Sequence, residues 1–386
     1  MLLKYWIFRF FTFPFQFLPY PVIHRLGSLL GLLIFYAYPK YRKRALSNLA
    51  LATDLHLTPD EIVKTARSSL QNLAITALEY PRLSIDKNIH RLATCENPEV
   101  AAALIQSGRG VIFFCGHQAN WEILFLEGTP RMPGIAIGRP IKNPYLYRWV
   151  VAMREKFGGK IILPKEAYRS SVRALKEGKF VGIVGDQGMP NAGFSCPFLG
   201  REAWTSPLPA LLSARTGCPI IVASTRRQDG KYLIHYSDPI WPEADPSSQM
   251  RQVLTVFENT VKARPHEWLW IHNRWKQQLP GKLQKEFRHD SLALIFPDNP
   301  DFLSFLPRIR ELYPREQITA FIPSHLKATS DVELKTFEEL LKPDYRFKMV
   351  IDFTNNKKLQ HHFSKLSALK IASFQTPEEF LSHASR

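Results

Sequence analysis

His117 and Glu122 stand five positions apart at the end of the apolar run Val111-Ile112-Phe113-Phe114-Cys115-Gly116, and their types suit acid–base chemistry. Imidazole accepts a proton near neutral pH, and a carboxylate that takes its other N–H fixes the tautomer and stabilises the imidazolium. Such a pair activates a hydroxyl group. At about 100° per residue, helical positions five apart point roughly 140° away from each other, so direct contact demands an irregular start. The sequence predicts a buried strand over Val111–Cys115, a turn at Gly116, a pre-helical His117 and a helix opening over 120–126 that carries Glu122. A bare pair at this spacing reads more readily as a capping histidine beside a solvated glutamate. The surrounding elements decide.

Those elements belong to a chain of 386 residues, 45% hydrophobic, long enough for a full catalytic domain and a second unit. Lysine and arginine number 51 against 34 acidic residues, a net charge of +17. That surplus calls for an anionic partner: an acidic membrane surface, a phosphorylated substrate or an acidic carrier protein. Nucleic acid is disfavoured, because no zinc-finger spacing, RNA-binding aromatic signature or long basic run is present. Cys95, Cys115, Cys196 and Cys218 form no C-x-x-C pair and read as reduced thiols of a cytosol-facing protein.

The N-terminus is apolar and aromatic over residues 5–38, interrupted by Arg9, Pro14, Gln16, Pro19, Pro21, His24 and Arg25. Only residues 26–38 run without a break, fewer than the about 20 that a spanning helix needs. A proline-broken span therefore competes with a monotopic hairpin, and residues 1–45 are expected to anchor the chain in a membrane. Lys40, Arg42, Lys43 and Arg44 follow, as expected of a cytoplasmic flank attracted to anionic lipid. No small-residue site follows the apolar segment, so a cleavable signal peptide is not expected.

Residues 46–282 have the pattern of an α/β domain. A helix is predicted over 59–86, capped by Thr58, and another over 101–107. Apolar runs at Gly134–Ile137, 160–163, Phe180–Val184, 220–224 and 232–236 alternate with helical segments, which implies a mixed central sheet flanked by helices. Polar clusters follow these strands, where open α/β sheets place their sites. They are Gly138-Arg139-Pro140 with Asn143 and Pro144, then Gly185-Asp186-Gln187-Gly188. A turn-rich segment over 193–201 continues to Trp204 and Thr205, and Trp268-Leu269-Trp270 with His272, Arg274 and Trp275 closes the domain.

Taken in order, Tyr41-Arg42-Lys43-Arg44-Ala45-Leu46-Ser47-Asn48-Leu49, Gly116-His117 through Trp121-Glu122, Arg139-Pro140, Asp186-Gln187, Phe198-Leu199-Gly200 with Thr205, and the closing tryptophan cluster resemble the bacterial lipid A biosynthesis (lauroyl and myristoyl) acyltransferases of the lysophospholipid-acyltransferase-like superfamily. The resemblance covers residues 1–280. It implies an enzyme at the cytoplasmic face of the bacterial inner membrane that moves a fatty acyl chain from acyl carrier protein to a hydroxyl of a Kdo-bearing lipid A precursor. In that reading His117 is the general base and Glu122 orients it, with no acyl-enzyme, metal or other cofactor. Arg139 is expected to bind an oxyanion or an acceptor phosphate, with Asp186 holding it or capping a turn. Asn120 and Trp121 shape the helix entrance, while Asn143, Phe194, Phe198 and Thr205 are candidate acceptor or acyl-groove contacts. Two alternatives share the sequence: a coenzyme A-dependent acyltransferase acting on a phosphoinositol mannoside, ornithine lipid or lysophospholipid, and a catalytically silent membrane protein that binds lipid or carrier protein.

Residues 288–386 exceed that pattern. They predict a small βαβαβαβα unit, with strands over 292–296, 318–322, 347–351 and 369–373 and helices over 302–312, 331–341, 357–366 and 377–383. Met349-Val350-Ile351-Asp352-Phe353-Thr354-Asn355-Asn356 resembles the N-terminal half of heptosyltransferase-type glycosyltransferases, so an accessory Rossmann-like half domain is expected.

Overall fold

A computed structural model describes residues 1–277, 281–326 and 331–385. The expected units 46–282 and 288–386 thus include residues 278–280, 327–330 and 386, which lie outside the described ones.

Four helices open the chain: α1 (Leu2–Thr12), α2 (Tyr20–Ala37), α3 (Pro39–Leu51) and α4 (Pro59–Ile85). Helix α2 starts six residues earlier than the uninterrupted run at 26–38. Pro21 falls in its first turn, where the missing N–H has no helical partner to lose, so it opens the helix instead of breaking it. At 18 residues α2 is long and apolar enough to cross a membrane. Its buried residues Ile23, Gly27, Gly31 and Phe35 recur every four positions and face α4. The approach is close: a Cβ added at Gly27 would lie 2.6 Å from the Ile75 Cα, and one at Gly31 would lie 2.3 Å from the Gln71 Cα. Helix α4 begins with the expected capping box, in which Thr58 Oγ1 accepts from the Glu61 N–H and the Glu61 carboxylate accepts from the Thr58 N–H at 2.8 Å.

The central sheet contains β1 (Ala93–Cys95), β2 (Val111–Cys115), β3 (Gly134–Ile137), β4 (Lys160–Ile162), β5 (Phe180–Val184), β8 (Ile220–Gln228) and β9 (Lys231–Tyr236), while β6 (Phe194–Phe198) and β7 (Arg201–Thr205) pair separately. The order across it is β1-β9-β8-β2-β5-β3-β4. Strands β8 and β9 are antiparallel and the other pairs parallel, so the sheet is mixed, as expected. Helices α5 (Glu99–Gln106), α6 (Glu122–Gly128), α7 (Pro144–Glu155), α8 (Ala167–Lys176), α9 (Leu208–Thr216) and α10 (Pro246–Ala263) cover it. Ile112, Phe114 and Ile183 face one core, Phe113 and Phe180 the other, which is why the strands read as continuous apolar runs.

A second, five-stranded parallel sheet follows: β10 (Ser291–Ile295), β11 (Gln317–Ile322), β12 (Glu333–Thr336), β13 (Met349–Asp352) and β14 (Lys370–Ser373), in the order β12-β11-β10-β13-β14. Its helices are α11 (Leu306–Leu312), α12 (Lys357–Lys365) and α13 (Pro377–Ala384).

Three local expectations change. The helix expected over 331–341 is instead strand β12 and a 3-10 turn, Phe337–Glu339. Glu, Leu and Lys favour a helix in isolation, but this segment pairs along β11, and Glu333 accepts from Thr319 Oγ1 and Arg346 Nη1. The helix expected over 302–312 is split into a 3-10 segment, Pro300–Phe305, and α11. The turn-rich 193–201 segment is half of the β6–β7 hairpin, with its turn at Leu199-Gly200, where φ is +52° and +83°, as a two-residue hairpin of the I′ type requires.

The α2–α4 contact yields a test. Gly31→Ala forces a methyl group into the α4 backbone, and overpacking of this kind costs about 1–3 kcal/mol. The midpoint of thermal unfolding in detergent is expected to fall, whereas Leu33→Ala, on the exposed face of α2, is expected to leave it nearly unchanged.

Candidate active site

Strands β2 and β5 are parallel neighbours, so the residues that follow them emerge at the same carboxyl edge of the sheet. His117 follows β2 and Asp186 follows β5. The Asp186 carboxylate meets His117 twice: Oδ2 accepts from the His117 main-chain N–H at 2.7 Å, and Oδ1 lies 2.7 Å from Nδ1. Trp268 Nε1–H donates to the same carboxylate at 2.8 Å. Gly116 allows this approach, because a Cβ there would fall 2.8 Å from Asp186 Oδ2 and 2.2 Å from Phe257 Cζ.

The partner of His117 therefore differs from the expectation. Glu122 was expected to take its second nitrogen, and Asp186 takes it instead. Helix α6 starts at Glu122 and carries that carboxylate to other donors. Arg154 of α7 grips it through Nη2 and through Nε at 2.7 Å, and the Tyr80 hydroxyl of α4 donates at 2.6 Å. Among the described residues no hydrogen bond joins Glu122 to His117.

Charge follows this geometry. Burial opposes the imidazolium, but the Asp186 charge and hydrogen bond outweigh it, with a smaller contribution from Glu122, so His117 holds its proton above the ordinary value of 6.5. Asp186 is fully buried; burial opposes its charge, yet the two histidines, His117 and His272, hold its pKa well below the usual carboxylate range. Glu122, also buried, is held below its ordinary value by Arg154 and Tyr80. A carboxylate can only accept, so Nδ1 carries the hydrogen, and once the ring is neutral Nε2 presents a lone pair. No described residue bonds to Nε2, and the side chain is 16% exposed. This is a base poised toward solvent.

The turn is held open from behind. Ala119 takes a left-handed conformation, φ +45°, unusual for a residue with a Cβ. Its N–H donates to the Glu267 carbonyl at 2.8 Å, and its carbonyl accepts from Thr76 Oγ1 at 3.0 Å and Asn72 Nδ2 at 3.2 Å. Asn120, fully buried, donates to Glu79 at 2.7 Å and accepts from the Glu122 N–H, so it sets the helix start. Trp121 packs edge-on to the His117 ring, with centroids 4.6 Å apart.

Arg139 follows β3, the other neighbour of β5, and so lies at the same sheet edge. It is exposed, and no described residue pairs with it; in particular Asp186 does not hold it. Asn143 caps α7, the helix that carries Arg154, by accepting from the N–H groups of Tyr145 and Leu146. Two expected groove residues are instead structural. Phe198 is fully buried against Phe257 and Trp268, and Thr205 is buried with its hydroxyl accepting from Arg274 at 2.7 Å. Phe194, half-buried, packs against that same core. Arg154 and Tyr80 were not foreseen at the site, and Trp268 and His272 were read only as members of a cluster, without partners. The tryptophan-rich closing cluster was visible in the sequence, but its destination depends on the order of the strands.

The two carboxylates can be separated by histidine NMR titration. Asp186→Asn is expected to lower the His117 pKa strongly. Glu122→Gln is expected to lower it less, and to reduce stability more through the half-buried Arg154 it leaves unpaired. Equal shifts in the two variants would contradict the assigned pairing.

Comparison with known proteins identifies the family. The chain is 25% identical over 272 residues to the lipid A biosynthesis lauroyltransferase of Escherichia coli (strain K12), which covers 68% of this chain and 88% of that protein. It is 25% identical over 275 residues to the palmitoleoyltransferase of the same strain, covering 69% and 88%. To a lipid A biosynthesis acyltransferase of Haemophilus influenzae it is 23% identical over 282 residues, covering 69% and 85%. The family model described as bacterial lipid A biosynthesis acyltransferase matches residues 1–277, so β10–β14 and their helices lie beyond the match. The chain belongs to the bacterial lipid A biosynthesis acyltransferase family.

Proposed function

We infer that this acyltransferase moves a fatty acyl chain, of the lauroyl or myristoyl class, from acyl carrier protein to a hydroxyl of a Kdo-bearing lipid A precursor at the cytoplasmic face of the inner membrane. The free Nε2 of His117, set by the buried Asp186 on Nδ1, is the observation that carries the reading. His117 Nε2 takes the proton of the acceptor hydroxyl as its oxygen attacks the thioester carbonyl. The tetrahedral intermediate then collapses, the C–S bond breaks, and the proton passes from Nε2 to the departing thiolate. Asp186 orients the ring and stabilises the imidazolium, while Glu122, locked by Arg154 and Tyr80, adds a second compensating charge. General-base assistance of this kind is worth about 10²–10⁴ in rate. Arg139, exposed at the same edge and unpaired among the described residues, serves the oxyanion or an acceptor phosphate. Asn120 and Trp121 shape the entrance.

Membrane attachment fits the surface. Helix α1 buries no residue, and Leu3, Trp6, Phe10 and Phe11 on α1 and Leu29 and Leu33 on α2 are exposed. Because α2 rests along α4 of the catalytic body, the apolar helices embed the enzyme with its site at the lipid surface. The lipid-attracted flank is smaller than expected, since Lys43 and Arg44 turn inward to carbonyls of Ala368 and Ile271. The remaining basic surplus suits an acidic carrier protein.

Full-length protein in detergent, supplied with acyl carrier protein thioester and a tetra-acylated lipid A precursor, is expected to form the ester, and His117→Ala to lower turnover by about 10²–10⁴. Because His117 sits above 6.5, its basic form accumulates only as pH rises past that raised value. The rate is therefore expected to climb there, and to climb at lower pH in Asp186→Asn, to a lower plateau. A coenzyme A thioester in parallel identifies the donor. Wild-type turnover in His117→Ala would remove the mechanism.

A further inference from the structure

The second α/β unit lies beyond the residues that match the family, yet one buried side chain joins it to the catalytic centre. Lys348, just before β13, and Asp290, just before β10, lie at the amino edge of the second sheet. Both are buried, and Lys348 Nζ donates to Asp290 Oδ1 and Oδ2 at 2.7 and 2.8 Å. Its third hydrogen bond crosses to the first unit, to Asn48 Oδ1 of α3 at 2.6 Å. An ammonium group only donates, so it fixes which way the Asn48 amide faces. The Nδ2 of Asn48 then donates to the carbonyls of Trp270 and His272, at 2.7 and 2.8 Å.

Those carbonyls belong to the strap that holds the catalytic pair. Trp268 donates to the Asp186 carboxylate, His272 Nε2 lies 3.2 Å from the Asp186 carbonyl, and the Leu269 N–H donates to the His117 carbonyl at 3.0 Å. We propose that Lys348 is a positioning residue for acyl transfer, through which the second unit fixes Asn48, and through it the 268–272 strap that sets Asp186 against His117. This rests on the His117 mechanism above and gives the additional unit a function within it. The alternative is that the unit is merely docked. The same interface supplies the comparison: Lys43 Nζ on α3 donates to the Ala368 carbonyl at 2.8 Å and Ser47 Oγ to the Arg346 carbonyl at 2.7 Å, and among the described residues neither side chain hydrogen-bonds to the strap.

Among the described residues, the titratable and charged groups that face His117 are Asp186 after β5, Glu122 on α6, Arg154 on α7 and His272 in the strap. Only Asp186 and His272 are held by the strap. Loosening it therefore weakens the support of the imidazolium while leaving Glu122 and Arg154 in place.

Full-length Lys348→Met, Asn48→Asp and Lys43→Met are compared with wild type. Asn48→Asp keeps an acceptor for Lys348 and the docking of the units, but removes the donor to the two strap carbonyls. Lys348→Met and Asn48→Asp are expected to lower kcat by about 10- to 100-fold, with KM changed less than about threefold, since small misplacement near the chemistry acts on turnover. Both are also expected to lower the His117 pKa in an NMR titration that needs no turnover. Lys43→Met is expected to retain wild-type kcat and titration. If Asn48→Asp keeps wild-type kcat and titration, or if Lys43→Met reproduces the changes, Lys348 is a docking residue and the proposal fails. If Lys348→Met does not fold, Asn48→Asp decides. An inactive wild type with the expected titration shifts would instead count against the proposed reaction alone.

Discussion

The site depends on one buried carboxylate. Asp186 has no solvent, so its charge persists only through its donors, and those donors come from two places far apart in sequence: the turn after β2 and the 268–272 strap. A buried carboxylate left short of donors is strongly disfavoured. Its need for partners therefore fixes the end of β2, the end of β5 and the closing segment relative to one another. The orientation of His117 is a consequence of that arrangement.

Helix α4 performs the complementary task from the opposite side. Asn72, Thr76, Glu79 and Tyr80 fall on one helical face. The first two bind the Ala119 carbonyl, Glu79 binds Asn120, and Tyr80 binds Glu122. The left-handed Ala119 costs of order 1–3 kcal/mol in isolation, and it persists because both its N–H and its carbonyl are engaged. That kink turns the chain out of the helical path between His117 and Glu122. Glu122 thereby stays close enough to act on His117 by charge while its oxygens belong to Arg154 and Tyr80.

Much of this was legible in the sequence, and the failures have a common cause. The irregular entry at Gly116-His117 followed from helical geometry, and the mixed sheet flanked by helices from the alternation of apolar runs with helical segments. Asp186 was recognised as a polar residue after a strand but paired with the wrong group, because only the sheet order β2-β5-β3 shows that it emerges beside His117. Phe198 and Thr205 were read as groove residues because an apolar side chain and a hydroxyl look the same in sequence whether they face a ligand or a core. Strand β12 was read as a helix because Glu333-Leu334-Lys335-Thr336 has no local reason to extend; the reason is its pairing with β11. Local chemistry was readable, and long-range adjacency was not.

The apolar helix α2 and the site are built together. On α2, His24 Nε2 lies 2.7 Å from Glu79 Oε1, and the other oxygen of that buried carboxylate accepts from Asn120, which sets the start of α6. Tyr232 of β9 completes the shell with its hydroxyl at 2.7 Å from Glu79 Oε2. Three residues along, Gly27 brings the α2 backbone against Ile75, so α2 cannot slide or tilt on α4 without opening a buried polar cluster next to the His117 turn. The glycines explain why the contact is close, and Glu79 explains why its register is fixed. A helix that served only to tether the protein would need neither. Its packing makes the placement of α2 and the position of His117 parts of the same rigid body.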